Sequence, residues 1–422
     1  MLLSFKGARW RTVGLLVLAC VCLGACAPVA APQPAVPVKT VAPVVVTEEA
    51  AEETVAGAPA VLEGNILEGS VEHYDPDLDY FPDKVSLQYA EVFEVTYYPN
   101  YKVVTVLEPW RDADVTFRYV LVQRGTPAPE DVGDAQVIEV PVATVAALST
   151  THLYYLVELG LLDRLTGVGG AEYISTPGVS ERIEAGQIVA VGRNDDVNLE
   201  RMADLAPELI TTLGLGMSSK DNHPQLLEAG FDVALVADFM ETTPLGRAEW
   251  IKFMALFFNR EAAAEQIFAD KAARYEAMTA LTQGLDDRPT VFMGFDMKGT
   301  WYMPGGGGYL ARYLEDAGAT YLWEDDDSTG KIPLDFEAVY DRASDADYWV
   351  NLSQSWVSLD DALAMDERYA GFAAVQQGHV YNNNARLNAD GGNDYNQSGH
   401  ANPDLVLADL IKIGRASCRE RV

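Results

Sequence analysis

Two hydrophobic patterns follow one another along the chain. Within residues 85–125, apolar and polar positions alternate in runs rich in β-branched and aromatic residues, a pattern typical of β-strands. Turn signals at Pro99-Asn100 and at 111–113 divide these runs. We therefore predict a β-rich leader of two or three antiparallel strands.

From residue 142 onward, short apolar runs alternate with helical patterns. The first block contains predicted strands and helices in alternation, at 142–149, 151–160, 164–169, 199–206 and 208–214. The rhythm starts again in the second half of the chain, at 289–295, 309–318, 347–353, 379–383 and 401–413. Such an alternation predicts parallel sheets with helical crossovers.

A long helical segment separates the two α/β blocks. The apolar helix 248–258 is followed by residues 260–283, whose pattern predicts a rod about 36 Å long. Asn259 precedes this helix at the position expected for an N-cap. The predicted fold class is α/β, with two α/β lobes joined by one long helix. The predicted boundaries are an N-terminal lobe with its leader at 62–258, the connecting helix at 259–284 and a C-terminal lobe at 285–413.

The N-terminus carries the pattern of a secretory signal peptide. Basic residues within residues 1–25 precede an apolar run, Val13–Leu23, that is too short to cross a membrane. The stretch Leu23-Gly24-Ala25-Cys26 resembles the bacterial lipobox, which predicts that Cys26 is lipidated and begins the mature chain. An ordinary signal peptide with an incidental cysteine is the alternative.

Two further segments are not expected to belong to the folded body. Residues 26–61 are rich in Ala, Pro and Val without a regular period, which predicts a disordered tether able to reach about 100 Å. Residues 414–422 turn abruptly basic and contain Cys418, and we interpret them as a non-native tail. The two cysteines that remain after signal removal cannot build a disulfide framework or a cysteine metal site.

Charge and histidine content narrow the choice of partners. The chain has a formal net charge of −33 and 49% hydrophobic residues, so it can fill a sizeable core beneath a strongly acidic surface. Such a surface repels nucleic-acid phosphates and anionic lipid headgroups, so membrane contact is expected through the lipid anchor only. A receptor for a bare zinc or manganese ion is disfavoured because the histidines are dispersed, at His73, His152, His223, His379 and His400.

Several segments together resemble one family of receptors. They are VAALSTTHLYYLVELGLLDRLTGVG (145–169), NLERMADLAPELITTLG (198–214), the long helix, and HVYNNNARLNADGGNDY (379–395) before a terminal helix, together with the lipobox. Over roughly residues 90–413 the chain is similar to the helical-backbone, or class III, substrate-binding proteins. These are the extracytoplasmic receptors of ABC importers for iron–siderophore, haem and cobalamin complexes.

The resemblance implies a receptor that encloses its ligand between two lobes and performs no catalysis. It implies no cofactor, and the expected ligand is an iron chelate of the Fe(III)-siderophore type, with cobalamin or haem as alternatives. The expected partners are an ABC permease and its ATPase, and the monomeric receptor would be lipid-anchored outside the cytoplasm, in the periplasm or on the outer surface. Such receptors dock on the permease through one acidic side chain in each lobe, and Glu184 resembles the first-lobe position.

Candidate ligand-binding residues in the first lobe follow its predicted strands, because ligands of parallel sheets collect beyond the carboxyl ends of strands. They are Thr150, Thr151, His152 and, in a glycine-containing loop, Met217. Hydroxyl and imidazole groups could contact an anionic ligand or its metal. Helix capping is an equally good explanation of the threonines.

In the second lobe the same criterion selects aromatic, amide and cationic side chains: Trp301, Tyr302, Trp356, Asn384, Arg386 and Tyr395. Aromatic rings would stack on a flat ligand, and Arg386 could bind a carboxylate or an anionic ferric complex bidentately. Packing of the aromatic rings and an internal salt bridge of Arg386 are the alternatives. Trp110 in the leader could also line the cleft, although packing is the commoner role of such a residue.

A secreted lipoprotein hydrolase is the alternative from another functional class. The chain contains neither G-x-S-x-G nor H-E-x-x-H. Ser328 and Lys331 fit the S-x-x-K pattern, but Gly330 and Pro333 oppose the helix that would place serine and lysine on one face. A sensor or adhesion lipoprotein on the same scaffold is a third alternative.

Overall fold

The computed structural model describes residues 3–4, 61–193, 196–351 and 356–418. The described residues from Val61 onward belong to one compact unit. The predicted lipidation site Cys26, the signal peptide and nearly all of the predicted tether lie outside the described residues. The predicted tail lies partly outside them, because the last helix is described as far as Cys418.

The strands of the described residues form a leader sheet, two lobe sheets, one three-stranded sheet and one short pair. In chain order they are β1 (Leu3–Ser4), β2 (Phe93–Tyr97), β3 (Tyr101–Val106), β4 (Phe117–Gln123), β5 (Gln136–Val140), β6 (Val145–Ala147), β7 (Leu165–Val168), β8 (Val189–Ala190), β9 (Gly192–Arg193), β10 (Asp196–Val197), β11 (Leu209–Thr212), β12 (Val233–Leu235), β13 (Thr290–Met293), β14 (Asp296–Met297), β15 (Thr300–Pro304), β16 (Thr320–Tyr321), β17 (Lys331–Leu334), β18 (Tyr348–Asn351) and β19 (Val380–Asn382). The three-stranded sheet is β14-β15-β17 and the short pair is β9-β10.

The α-helices alternate with the lobe strands. In chain order they are α1 (Thr150–Glu158), α2 (Val179–Glu184), α3 (Leu199–Leu205), α4 (His223–Glu228), α5 (Pro244–Leu256), α6 (Glu261–Thr282), α7 (Tyr309–Asp316), α8 (Phe336–Ala343), α9 (Leu359–Met365), α10 (Ala373–Gln376), α11 (Ser398–Ala401) and α12 (Pro403–Cys418).

Each lobe is built on a mainly parallel sheet, which confirms the predicted α/β class. The first sheet has the order β12-β11-β6-β7-β8, with every neighbouring pair parallel. The second has the order β19-β18-β13-β16, again parallel, and β1 pairs antiparallel with β19. The central strands β6 and β11 of the first sheet are short and buried along their whole length, so alternation with exposed polar residues is not needed.

The leader forms a four-stranded sheet in the order β2-β3-β4-β5. The strands β2, β3 and β4 are antiparallel as predicted, and β5 is added parallel to β4. Residues 85–92, which the pattern predicts as strand, are irregular instead. Buried carboxylates of Glu249 and Glu241 accept the backbone N–H groups of residues 88–92, so these groups do not enter a sheet.

The leader covers an edge of the first-lobe sheet. The side-chain amide of Gln136 in β5 donates to the carbonyl of Val233 at 2.8 Å and accepts the N–H of the same residue at 2.9 Å. The hydroxyl of Tyr119 accepts the N–H of Leu235 at 2.8 Å. These bonds satisfy backbone groups of the edge strand β12 that would otherwise be open to pairing with another chain.

The connecting helix is observed as α6, but Asn259 is not its N-cap. Asn259 has a φ of +55° and Arg260 occupies the N-cap position. The Asn259 amide instead donates to the carbonyl of Ile66 at 2.8 Å, and its oxygen accepts from Lys102 Nζ at 2.9 Å. Lys102 is fully buried and also pairs with Glu261, and burial lowers the pKa of this lysine although Glu261 opposes the shift. A buried polar cluster therefore joins the leader to the first turn of α6.

Candidate functional site

A cleft of about 450 Å³ lies where the two lobes meet. Its first wall comes from residues that follow strands of the N-terminal lobe: Leu148, Ser149, Thr150, Gly169, Gly170, Tyr173, Arg193, Leu215 and Lys220. Its second wall comes from the segment after β19: Gly391, Gly392, Asn393, Asn396 and Gln397. The cleft therefore occupies the place beyond the carboxyl ends of strands that parallel sheets leave open for ligands.

The first turn of α1 contributes Ser149 and Thr150 to the cleft. Ser149 is the N-cap of this helix, so neither predicted threonine has the capping role. Its hydroxyl makes no capping bond and lies 3.0 Å from the hydroxyl of Thr151. Because the first turn contains no acidic residue, no carboxylate of α1 offsets the positive end of the helix dipole at the cleft.

Backbones of the two lobes approach closely beside the cleft. A Cβ on Gly392 would lie 2.0 Å from the carbonyl oxygen of Tyr173, so only glycine fits at this point of contact. On the same strip, the Asn388 amide of the second lobe donates to the carbonyl of Glu172 at 2.9 Å. The polypeptide after β19 is thus held against the first lobe through main-chain groups.

Gln397 is the most heavily bonded side chain across this contact. Its Oε1 accepts the N–H of Ser175 at 3.0 Å, the N–H of Thr176 at 3.1 Å and the hydroxyl of Thr176 at 2.8 Å. Its Nε2 donates to the carbonyl of Tyr173 at 3.0 Å. Only 1% of Gln397 is exposed, so these bonds form in a dry environment and hold the two walls together.

The charged residues that line the cleft are cations. The guanidinium of Arg193 lies 5.5 Å from the centre of the Tyr173 ring and 3.8 Å from a carboxylate oxygen of Glu172. Lys220 is exposed on the neighbouring loop. No Asp or Glu is among the described residues that line the cleft. In so acidic a chain, this local balance of charge favours a ligand that carries negative charge.

His152 lies beneath the cleft and is fully buried, so it is not available to a ligand. Its Nδ1 is 3.1 Å from the Thr211 hydroxyl, and burial lowers its pKa to about 4, against the opposing effect of Asp238. Asp238 in turn lies 2.9 Å from Nε2 of His400 in α11, the short helix after β19 that packs against α1 and α5. This group of residues forms part of the joint between the lobes.

Trp301 and Trp356 fill the core of the second lobe and do not face the cleft. Trp301 is 0% exposed, and its indole N–H donates to the carbonyl of Met293 at 2.9 Å. Trp356 is 2% exposed and packs edge-on against Trp349, with ring centres 5.5 Å apart. Because neighbours in a strand face opposite sides, Tyr302 points outward from β15, where it is 38% exposed outside the cleft.

The remaining predicted residues do not line the cleft. Asn384 is buried and donates its amide to the carbonyl of Trp356. Arg386 forms the internal salt bridge that the sequence left open as an alternative, with Asp394. Tyr395 borders a small apolar cavity of about 20 Å³, and Met217 is exposed between the lining residues Leu215 and Lys220 of its loop.

Sequence reasoning identified Thr150 of the cleft lining, and its candidates Met217 and Tyr395 lie within two further segments that line the cleft. It missed the polar and cationic residues that line the cleft: Tyr173, Arg193, Lys220, Asn393, Asn396 and Gln397. Two of them, Arg193 and Lys220, carried a usable signal, because cations are scarce in a chain with a net charge of −33. The amides of the 391–397 segment gave no comparable signal.

Two other sequence-based candidates can be located. Glu184 ends α2 and is exposed, and its role in docking stays a prediction. The hydroxyl of Ser328 donates to Asp326, and Lys331 begins strand β17, so the S-x-x-K residues do not share a helix. Ser328 also packs against the glycine run 305–308 that follows β15, since a Cβ on Gly305 would lie 2.1 Å from the Ser328 carbonyl oxygen.

Within the described residues, no group of three or more His, Cys, Asp or Glu side chains is arranged to hold a metal ion. In the same part of the chain, no helix combines the length and the apolar character needed to cross a membrane.

The chain matches one family model and several individual proteins. Residues 145–387, more than half of the chain, match the family described as periplasmic binding protein. Two uncharacterised lipoproteins of Methanocaldococcus jannaschii are similar in sequence. One is 26% identical over 311 residues, covering 70% of this chain and 72% of the relative. The other is 27% identical over 312 residues, covering 70% and 76%.

Two solved structures have a similar fold. A periplasmic binding protein from Veillonella parvula aligns with a TM-score of 0.53 and 14% identity, covering 76% of this chain and 97% of that one. A possible iron-binding (periplasmic solute-binding) protein from Staphylococcus epidermidis aligns with a TM-score of 0.51 and 16% identity, covering 65% and 98%. At these identities the alignments concern the fold alone.

Proposed function

Because the chain belongs to the periplasmic binding protein family, as its sequence predicted, we propose that it is a lipid-anchored receptor of an ABC importer. It binds an Fe(III) chelate of the siderophore type, with net negative charge, in the cleft between its lobes, and delivers it to the permease. The observation that carries this proposal is the cleft itself. It is formed by both lobes and lined by amides, hydroxyls, glycine backbone and two cations, Arg193 and Lys220.

The chemistry of the lining supports an anionic, oxygen-rich ligand. Carboxylate or catecholate oxygens of a ferric chelate would accept hydrogen bonds from the guanidinium of Arg193, the ammonium of Lys220 and the amides of Asn393 and Asn396. The glycines at 169–170 and 391–392 let backbone approach the ligand closely. Tyr173 is the aromatic residue of the lining, so stacking contributes less than the sequence suggested.

A receptor fits the lining better than a hydrolase does. The hydroxyl of Ser149 has the hydroxyl of Thr151 as its neighbour at 3.0 Å, which is no general base. His152, which lies in the first turn of α1, is fully buried, and its Nδ1 is 3.1 Å from the hydroxyl of Thr211. The binding step therefore needs only closure of the lobes on the chelate, and release needs contacts with the permease that favour the open state.

The lipid anchor and the permease are supported by the sequence and by relatives. The lipobox-like stretch ends at Cys26, and two relatives carry the name lipoprotein. Metabolic labelling with palmitate in the native host should mark the wild-type chain and not Cys26→Ser. Unlabelled wild-type protein would remove the anchor from the proposal without affecting the cleft.

The ligand is tested by calorimetry with purified protein. Ferric citrate, a ferric catecholate, a ferric hydroxamate, haem and cobalamin are titrated separately. We expect stoichiometric binding of an anionic ferric chelate, weakened roughly tenfold or more by Arg193→Gln combined with Lys220→Gln. Exclusive binding of haem or cobalamin would replace the ligand assignment, and no binding of any of the five would overturn the proposal.

A further inference from the structure

A turn of the leader reaches the rim of the cleft and touches one of its loops. Trp110 follows strand β3 in this turn and is half-buried. Its indole lies against the loop Gly214–Asp221, which we call the cleft loop. A Cβ on Gly214 would be 2.7 Å from Cε3 of the indole, and one on Gly216 would be 2.7 Å from Cδ1. Both glycines are required because the loop backbone lies directly on the ring.

The cleft loop is a compact turn that carries two lining residues, Leu215 and Lys220. The carboxylate of Asp221 accepts the N–H of Leu215 at 2.7 Å and that of Met217 at 2.8 Å. The N–H of Lys220 donates to the carbonyl of Met217 at 2.8 Å. These bonds fix the internal shape of the loop, but they join the loop only to itself. The position of the loop relative to the cleft must therefore be set by the residues that pack against it.

Trp110 is itself held from behind. Its ring centre lies 5.7 Å from that of His223, at the start of α4, and 5.9 Å from that of Phe117 in β4. Phe117 and His223 also meet edge-on at 5.5 Å. The indole therefore lies between these two packed aromatic rings and the backbone of the cleft loop. Through the indole, the position of the leader sheet therefore determines the position of the cleft loop.

From this geometry we infer that Trp110 is a positioning residue for ligand binding: it fixes the position of the cleft loop relative to the cleft and so places Lys220 next to the ligand. This inference deepens the proposed function and rests on it for the part that concerns the ligand. Trp110 lies outside residues 145–387, the segment that matches the family model, so the leader supplies a determinant of specificity that this segment lacks. Coulomb attraction between Lys220 and an anionic chelate falls with distance and is screened by solvent. A shift of the loop that moves Lys220 away from the chelate therefore weakens this attraction.

The first test needs no ligand. Hydrogen exchange is followed by mass spectrometry in full-length wild type, Trp110→Ala and Trp110→Phe, on peptides that cover residues 214–221. We expect exchange in this peptide to be about tenfold faster in Trp110→Ala, with recovery in Trp110→Phe, because loss of packing promotes local opening. Peptides from α6 report global stability and should not change. Tyr98→Ala, which removes a 41% exposed ring at the other end of the same sheet, is the matched control.

The second test is a double-mutant cycle on chelate affinity, with Trp110→Ala and Lys220→Gln. In the wild-type background Lys220→Gln should weaken binding of the anionic ferric chelate about tenfold, and in Trp110→Ala by less than about twofold, because the loop no longer presents the lysine. Lys84→Gln, which removes a leader lysine paired with Asp79 at 2.5 Å, should change affinity in neither background. Trp110→Phe should restore the effect of Lys220→Gln.

The outcomes separate this inference from the proposed function. Unchanged exchange of residues 214–221 in Trp110→Ala overturns the positioning role, whatever the ligand proves to be. If exchange changes but the two substitutions act independently on affinity, the link to Lys220 is overturned. If wild type binds none of the chelates, the proposed function fails, and the exchange result still decides whether Trp110 positions the loop.

Discussion

Replacing Gln397 should loosen the contact between the lobes. In Gln397→Ala four hydrogen bonds are lost, three to Ser175 and Thr176 and one to the carbonyl of Tyr173, at 2.8–3.1 Å. A typical hydrogen bond contributes about 1 kcal/mol net, and water can replace these bonds once the lobes part, so we expect a loss of about 2–4 kcal/mol from the closed state. That corresponds to a shift of roughly 30-fold to 1000-fold toward the open state.

Two measurements report this shift. The amides of Ser175 and Thr176 donate to Gln397, so their hydrogen exchange should become at least about tenfold faster in the unliganded variant. Chelate affinity should fall in parallel, because the binding-competent closed state is less populated. Gln397→Glu keeps the acceptor but loses the donor to Tyr173, so an intermediate effect is expected.

Gln376→Ala is the control for this experiment. The amide of Gln376 is exposed and donates to the carbonyl of Ala370 within the second lobe, at 3.1 Å. Its removal should leave both exchange and affinity unchanged. If Gln397→Ala exchanges and binds like wild type, the bonds of Gln397 do not control closure and the reasoning from geometry to closure is refuted.

Three further predictions concern buried groups. Lys102→Met should lower the free energy of unfolding, measured in urea, by about 3–5 kcal/mol, because Glu261 is left as a buried charge without its partner. Adding Glu261→Gln to Lys102→Met should regain part of this loss. Equal stability of the single and the double variant would contradict the prediction. Trp301→Ala should cost about 3–5 kcal/mol with little change in chelate affinity, and an affinity loss without a stability loss would return Trp301 to the ligand site. The pKa of His152 is lowered to about 4, so as the pH falls below about 6.5 the unfolded chain binds a proton at this residue before the folded chain does. The free energy of unfolding should therefore drop by roughly 3 kcal/mol between pH 6.5 and pH 4. In His152→Gln the free energy of unfolding in urea should depend less on pH over this range.

Local pattern was enough for elements whose hydrophobic period is strong. The predicted helix 260–283 is observed over Glu261–Thr282, and β6, β7, β11, β13, β18 and β19 fall within their predicted runs. The edge strands β8, β12 and β16, of two or three residues each, were not predicted. Periodicity reports which faces of an element are buried, and burial is what stabilises these elements. Where another interaction competes for the backbone, the pattern fails. Residues 85–92 have a strand pattern, but the N–H groups of residues 88–92 donate to the carboxylates of Glu249 and Glu241 instead.

The prediction that Asn259 is an N-cap is wrong for a related reason. Its type and position are those of an N-cap, yet its side chain is used by distant partners, Lys102 and the carbonyl of Ile66. Capping propensity is a local preference of about 1 kcal/mol, and a fully buried lysine needs its oxygen acceptors more. Such competition between a local preference and a long-range contact cannot be read from neighbouring residues.

The sequence by itself determined the α/β class, the two α/β blocks, the long helix between them and the loops after the strands, because each follows from local periodicity and turn chemistry. Only the tertiary structure decided which side chains of those loops face the cleft. Trp301 belongs to a strand of a small antiparallel sheet that turns it into the core, whereas Gln397 and Arg193 line the same cleft from positions far apart in the chain. The direction of a side chain depends on the partners its backbone finds, and those partners are set by the packing of the whole fold.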